Sequence, residues 1–152
     1  MDPVHLHLLL NHVPVIGAVF TVLLLAVALL RNSTELGKTS LGILGLLAAV
    51  AIVVYLTGEP TEEVVERLPG VSEAAMERHE DVALVATIAM TVLGVLALAA
   101  LGWFRQRVLP RWISGAALLA TLAVTGVMGF TANLGGQIRH SEIRPGGVVR
   151  AP

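Results

Sequence analysis

The five histidines are the residues of this chain best suited to chemistry, and they lie near the ends of its apolar segments. His5, His7 and His12 flank the start of the first segment, His79 precedes the third, and His140 follows the fourth. In an up-down bundle of four helices these places meet at one end. Neutral imidazoles bind metal ions and haem iron, and they titrate near neutral pH. The pattern therefore predicts a metal or haem site at one end of a helical bundle.

The composition is that of a membrane protein. The chain is 55% hydrophobic and 14% charged, whereas soluble domains carry about 25% charged residues. Four apolar stretches are each close to the ~20 residues that a helix needs to cross a bilayer. We predict an all-α fold with one domain over residues 1–152, an integral membrane four-helix up-down bundle. The predicted spans are about 10–30, 40–57, 80–102 and 113–135, with a short outer helix at about 60–68 and a loose tail at 145–152.

Several kinds of function are excluded by the residue types. The absence of cysteine rules out disulfides, thiolate metal sites and iron–sulfur clusters. No basic stripe indicates nucleic acid as a partner. The start Met1-Asp2-Pro3 lacks a basic region, so the first apolar segment is predicted to span the membrane and not to be a cleaved signal peptide. The interior of the spans is almost free of ionisable groups, which argues against a pump or transporter working alone.

The loops indicate an orientation. The two short loops at 31–40 and 102–112 hold five basic residues and one acid, whereas the other side holds five basic residues and ten of the eleven acids. The basic residues are dense only in the short loops, so the positive-inside rule places those loops in the cytoplasm. Both termini and all five histidines are then periplasmic, in a multi-pass protein of a bacterial inner membrane.

Local signals predict how the histidines are positioned. Asp2 is the expected N-cap and Pro3 the first residue of the first helix. Pro14 should kink that helix one turn below His12. On an ideal helix His5 and His12 share a face, so they are predicted to face the bundle, while His7 faces a neighbouring helix or water.

Later in the chain, Ser72 is predicted to cap the third helix, so that His79 lies in a turn projecting above the membrane. Gly135 and Gly136 are predicted to end the fourth helix, with residues 137–140 folding back over the bundle.

The first and third helices are diagonal when four helices pack consecutively. His12 and His79 are therefore predicted to meet across the axis and to ligate one haem b. His140 and His7 are the other candidate metal ligands. The candidate cofactor-binding residues are polar or small and lie at the same end: Asn11, Arg78, Asn133, Gly136 and Arg139. Two alternatives stay open: a divalent metal ion held by imidazoles and carboxylates, or interfacial histidines with no cofactor.

The segment from His7 to Ile16, HLLLNHVPVI, resembles the start of an uncharacterised family of bacterial four-helix membrane proteins. That family opens with two histidines five apart, followed by a proline, and ends its last helix with Gly-Gly and a histidine. The segment from Gly135 to His140, GGQIRH, is similar to that ending, although the histidine follows at a shorter spacing. The resemblance implies histidine-ligated haem, since members occur beside or fused to cytochrome c domains.

The leading functional hypothesis is a small membrane-bound b-type cytochrome, an electron-transfer component and not a stand-alone enzyme. It would carry electrons between the quinone pool or a larger respiratory complex and a periplasmic carrier such as a cytochrome c. The alternatives are a cofactor-free accessory or assembly subunit of a larger membrane complex and a periplasm-facing histidine metal site. In all three the lipid bilayer is a partner.

Overall fold

The computed structural model describes residues 2–145, and the described part is helical with short connections. The predicted tail at 145–152 lies outside the described residues apart from Pro145. The helices in chain order are α1 (Pro3–Leu10), α2 (Val13–Leu30), α3 (Thr34–Leu56), α4 (Gly58–Val65), α5 (Glu73–Trp103) and α6 (Arg111–Arg139), followed by a 3-10 turn at Ser141–Ile143.

Four long helical segments form the predicted bundle: α1 with α2, α3 with α4, α5, and α6. Helix α2 packs against α3 and α6, and α5 packs against the same two helices, so α2 and α5 are diagonal. The core between them is apolar, with Leu25, Leu44 and Met90 fully buried. Phe20, Leu96 and other large apolar side chains are exposed on the outside. Each of the four segments is long and apolar enough to cross a membrane, which confirms the all-α four-helix architecture.

The helix ends follow from local side-chain chemistry. The Asp2 carboxylate accepts a hydrogen bond from the Val4 backbone N–H, and the Ser72 hydroxyl accepts one from Ala75. Both are N-caps that satisfy otherwise unpaired helix N–H groups, and both confirm the sequence prediction. Between α2 and α3 the chain reverses within three residues. Asn32 adopts a positive φ of 50° there, a conformation that Asn tolerates better than most residues.

The helical hydrogen bonding of the first span is interrupted at Asn11 and His12, just above Pro14. Helix α1 ends at Leu10 and α2 begins at Val13. Proline has no N–H to donate to the carbonyl four residues earlier, which here belongs to Leu10, and its ring also crowds that carbonyl. Asn11 and His12 keep helical backbone angles, so α1 and α2 form one apolar segment, Pro3–Leu30, with a local interruption where the sequence predicted the proline kink.

Helix α6 continues where the sequence predicted its end. Gly135 and Gly136 lie inside the helix, which runs to Arg139, so the prediction that they end it was wrong. A Cβ at Gly135 would lie 3.1 Å from the Cε1 atom of His79. This glycine therefore allows close packing against a side chain, and it does not terminate the helix.

The buried hydroxyl groups are satisfied within their own helices. Thr21 donates to the Gly17 carbonyl, and Thr121 donates to the Ala117 carbonyl, each one turn earlier. Ser40 is bonded to Leu36 in the same way. Such bonds let hydroxyls lie in an apolar interior without lining a polar path.

Candidate functional site

The candidate site lies where α1, the α3–α4 junction, the start of α5 and the end of α6 meet. We call this the histidine end; the other end, with the α2–α3 turn and the α5–α6 loop, is the arginine end. A backbone hydrogen bond of 3.1 Å from Ser72 to Ile138 joins the start of α5 to the end of α6. Helix α1 packs against α3 and α4. All five histidines belong to elements at this end, as the sequence predicted.

His7 is held between α1 and the α3–α4 junction. Its Nδ1 lies 3.0 Å from the Val54 carbonyl oxygen and 3.4 Å from the Thr57 hydroxyl. A carbonyl oxygen can only accept, so Nδ1 carries the hydrogen. The other ring nitrogen, Nε2, then has a free lone pair. The side chain is half-buried and packs against a neighbouring helix. The sequence predicted that His7 faces either a neighbouring helix or water.

His79 is held in the same way between α5 and α6. Its Nδ1 lies 2.9 Å from the Thr131 carbonyl oxygen, so Nδ1 again donates and Nε2 has the lone pair. The ring lies against the backbone of α6 at Gly135, where any side chain would crowd it. His79 is also half-buried.

The two half-buried imidazoles lie at the same end of the bundle, His7 on α1 and His79 on α5. A hydrogen bond from Nδ1 to a backbone carbonyl is how proteins commonly fix the tautomer and orientation of a histidine that ligates metal through Nε2. Chemically, the pair can therefore offer two oriented nitrogen ligands.

His12 and His5 do not face the bundle, contrary to the prediction. His12 is exposed and its Nδ1 contacts the side-chain oxygen of Asn11. His5 is exposed beside Asp2, with 3.4 Å between Nδ1 and the carboxylate. Each ring instead contacts a polar side chain close to it in sequence, Asp2 for His5 and Asn11 for His12.

His140 ends α6 and turns towards solvent. Its Nδ1 lies 2.8 Å from a Glu142 carboxylate oxygen, and both side chains are exposed. The pKa of the Glu142 carboxyl is lowered by a hydrogen bond from its own backbone N–H and, to a lesser degree, by the bond from His140. His140 thus pairs with an acid on the surface.

The predicted cofactor-binding residues are dispersed around this end. Asn11 contacts His12, and Asn133 accepts a 2.7 Å hydrogen bond from Gln137 on the outside of α6. Arg139 is exposed. Gly136 packs near Ile143, whose Cδ1 would lie 3.2 Å from an added Cβ.

Arg78 lines a recess of about 140 Å³ between the start of α5 and the end of α6. Arg144, which the sequence did not single out, lines the same recess. Its guanidinium donates to the carbonyls of Gln137, Ile138 and Gly70, at 2.7, 2.8 and 3.0 Å. It therefore caps α6 and ties that helix to the loop before α5.

Within residues 2–145, the structure contains no group of three or more His, Asp or Glu side chains placed to hold a metal ion.

The chain matches no protein-family model, no curated protein and no solved structure.

Proposed function

We propose that the protein is a small b-type cytochrome of the membrane, in which His7 and His79 would hold one haem b at the histidine end. The observation that carries the proposal is the shared arrangement of the two imidazoles. Each is half-buried, each donates from Nδ1 to a backbone carbonyl, and each keeps Nε2 free.

The donor set fits a haem better than a closed metal site. Two imidazoles are sufficient for a low-spin haem, whereas a structural zinc ion takes four protein ligands. Gly135 and Gly58 lie beside the rings of His79 and His7, so these rings can lie close to the helix backbone. When bound, the haem would supply a one-electron redox centre.

The protein's own contribution would be to bind and orient the cofactor at the membrane edge. The carbonyls of Val54 and Thr131 hold the two rings, and Arg78 offers a charge at the same end for propionate groups. The buried hydroxyls of Thr21 and Thr121 are bonded to carbonyls of their own helices.

The proposed orientation places the histidine end in the periplasm and the arginine end in the cytoplasm, by the positive-inside rule. Acidic side chains are clustered at the histidine end: Glu59, Glu66 and Glu80 lie near Glu62. Such a surface favours a basic electron carrier, for example a periplasmic cytochrome c, through charge complementarity. Quinone, or a larger respiratory complex, would be the partner on the membrane side.

The test is the absorption spectrum of the full chain, purified in detergent from cells supplied with a haem precursor. We expect a Soret band that shifts on reduction with dithionite, with one haem per chain. A colourless protein that is folded by circular dichroism would contradict the proposal. Metal analysis of that protein would then separate a metal site from a cofactor-free accessory subunit.

Acidification should release the haem before it unfolds the helices. A protonated imidazole has no lone pair for iron, so protons compete with the metal for Nε2. Binding is therefore complete where imidazole is neutral and is lost as the pH falls below the ordinary histidine range, near 6.5. The Soret band and the helical circular dichroism are followed in one titration. A Soret band that disappears only when the helices melt would argue against ligands at the membrane edge.

A further inference from the structure

The arginine end has a positive charge that the described residues do not neutralise. The cations there are Arg31, Lys38, Arg105, Arg107 and Arg111, and Glu35 is the only acid on that side. Among residues 2–145 no carboxylate lies within ion-pair distance of any of these cations. A surface of this kind attracts anions, and at a bilayer edge the most abundant anions are lipid phosphates.

The loop between α5 and α6 is fixed in place by its backbone and its apolar residues. Leu109 is buried, and its Cδ2 would lie 2.8 Å from a Cβ added to Gly37. Lys38 Nζ donates a 3.1 Å hydrogen bond to the Arg105 carbonyl, and the Arg107 backbone N–H donates to Phe104. The loop therefore presents its arginine side chains from a defined backbone.

These side chains line an open recess of about 370 Å³ together with Gly102, Trp103 and Gln106. The Trp103 side chain is 72% exposed, at the point where α5 leaves the apolar span. Tryptophan at this depth lies among lipid headgroups. The recess thus combines two guanidinium groups, an amide and an interfacial indole, while the adjoining outer surface of α5 is apolar, with Val95 and Leu96 exposed.

We propose that this recess binds the headgroup of an anionic phospholipid. Arg105 and Arg107 would donate to the phosphate oxygens, a pairing in which guanidinium donates two parallel hydrogen bonds. Trp103 would lie against the glycerol region, and the acyl chains would follow the apolar outside of α5. A zwitterionic lipid carries the same phosphate, but its cationic group would be repelled by the uncompensated arginines.

The test is native mass spectrometry of the full chain in detergent, titrated with phosphatidylglycerol or phosphatidylcholine. We expect tighter binding of phosphatidylglycerol. Since one Lys or Arg near the surface contributes about fivefold to the affinity for anionic lipid, Arg105→Gln or Arg107→Gln should weaken binding by roughly fivefold and the double variant by roughly thirtyfold. Both side chains are exposed, so we expect the variants to keep the helical circular dichroism of the parent.

Arg67→Gln is the matched control, because it removes one exposed charge outside the arginine end; it should leave the affinity unchanged. Equal weakening by Arg67→Gln would show a general charge effect and overturn the proposal. Equal binding of the two lipids would also overturn it. Inorganic phosphate should not displace the lipid at millimolar concentrations, and displacement would identify a site for free anions instead.

Discussion

Alanine at His79 or at His7 is expected to abolish the low-spin haem spectrum, while alanine at His5 or His12 leaves it intact. The ligand pair follows from where the rings are held: His7 and His79 are half-buried with oriented Nε2 atoms, whereas His5 and His12 are exposed. Removing one axial imidazole leaves iron five-coordinate, which changes its spin state and weakens binding. The measurement is the reduced-minus-oxidised spectrum of each variant at equal protein concentration.

Free imidazole separates loss of a ligand from loss of structure. In the His7→Ala and His79→Ala variants, added imidazole should restore a low-spin spectrum if the cavity survives and only the ligand is missing. Circular dichroism of each variant provides the folding control. Loss of haem in His12→Ala together with a normal spectrum in His7→Ala would instead support the pair predicted from the sequence and reject the pair inferred from the structure.

The features that depend on short stretches of chain could be predicted from the sequence. A span is recognised from a run of apolar residues, and the caps at Asp2 and Ser72 depend on atoms two or three residues away. The diagonal placement of α2 and α5 follows from consecutive antiparallel packing of four helices, which short connections favour.

The direction of each histidine could not be predicted in this way. His7 and His79 are held by the carbonyls of Val54 and Thr131, 47 and 52 residues away in sequence. Every residue has a carbonyl, so the sequence does not indicate which carbonyl accepts the hydrogen bond from each histidine. His5 and His12 instead contact the polar side chains of Asp2 and Asn11, and assigning faces on an ideal helix does not take such contacts into account.

The glycines of α6 also separate what the sequence can predict from what it cannot. Gly135 and Gly136 are a common signal for a helix end, yet α6 passes through both of them. The space beside Gly135 is occupied by the ring of His79. Gly126 and Gly129 carry a spacing often found at helix contacts, but no atom of another residue lies within 4 Å of a Cβ added to either. The role of a glycine depends on which atoms of a neighbouring helix lie beside it. These atoms cannot be identified from the sequence.

Valine at Gly94 is expected to cause the largest loss of stability of any glycine substitution in the bundle. Gly94 lies on α5 where it packs most closely against α3. An added Cβ would overlap the Cβ of Ala48 and lie 2.9 Å from the Leu44 carbonyl oxygen. That oxygen belongs to the backbone of α3, so the contact is relieved only by moving the two helices apart. Overpacking of this kind costs about 1–3 kcal/mol, and more where backbone must shift.

Two further glycine-to-valine variants should lose less stability than Gly94→Val. For all three variants the measurement is the thermal midpoint of the helical circular dichroism in one detergent. Gly45→Val should be less damaging than Gly94→Val, because the three atoms nearest to its Cβ all belong to the side chain of Leu98, which is partly exposed and can turn outward. Gly126→Val points into open space on the outside of α6, so its effect should stay within about 0.5 kcal/mol. Equal midpoints for Gly94→Val and Gly126→Val would mean that α3 and α5 do not pack through Gly94, and the close α3–α5 contact would have to be abandoned.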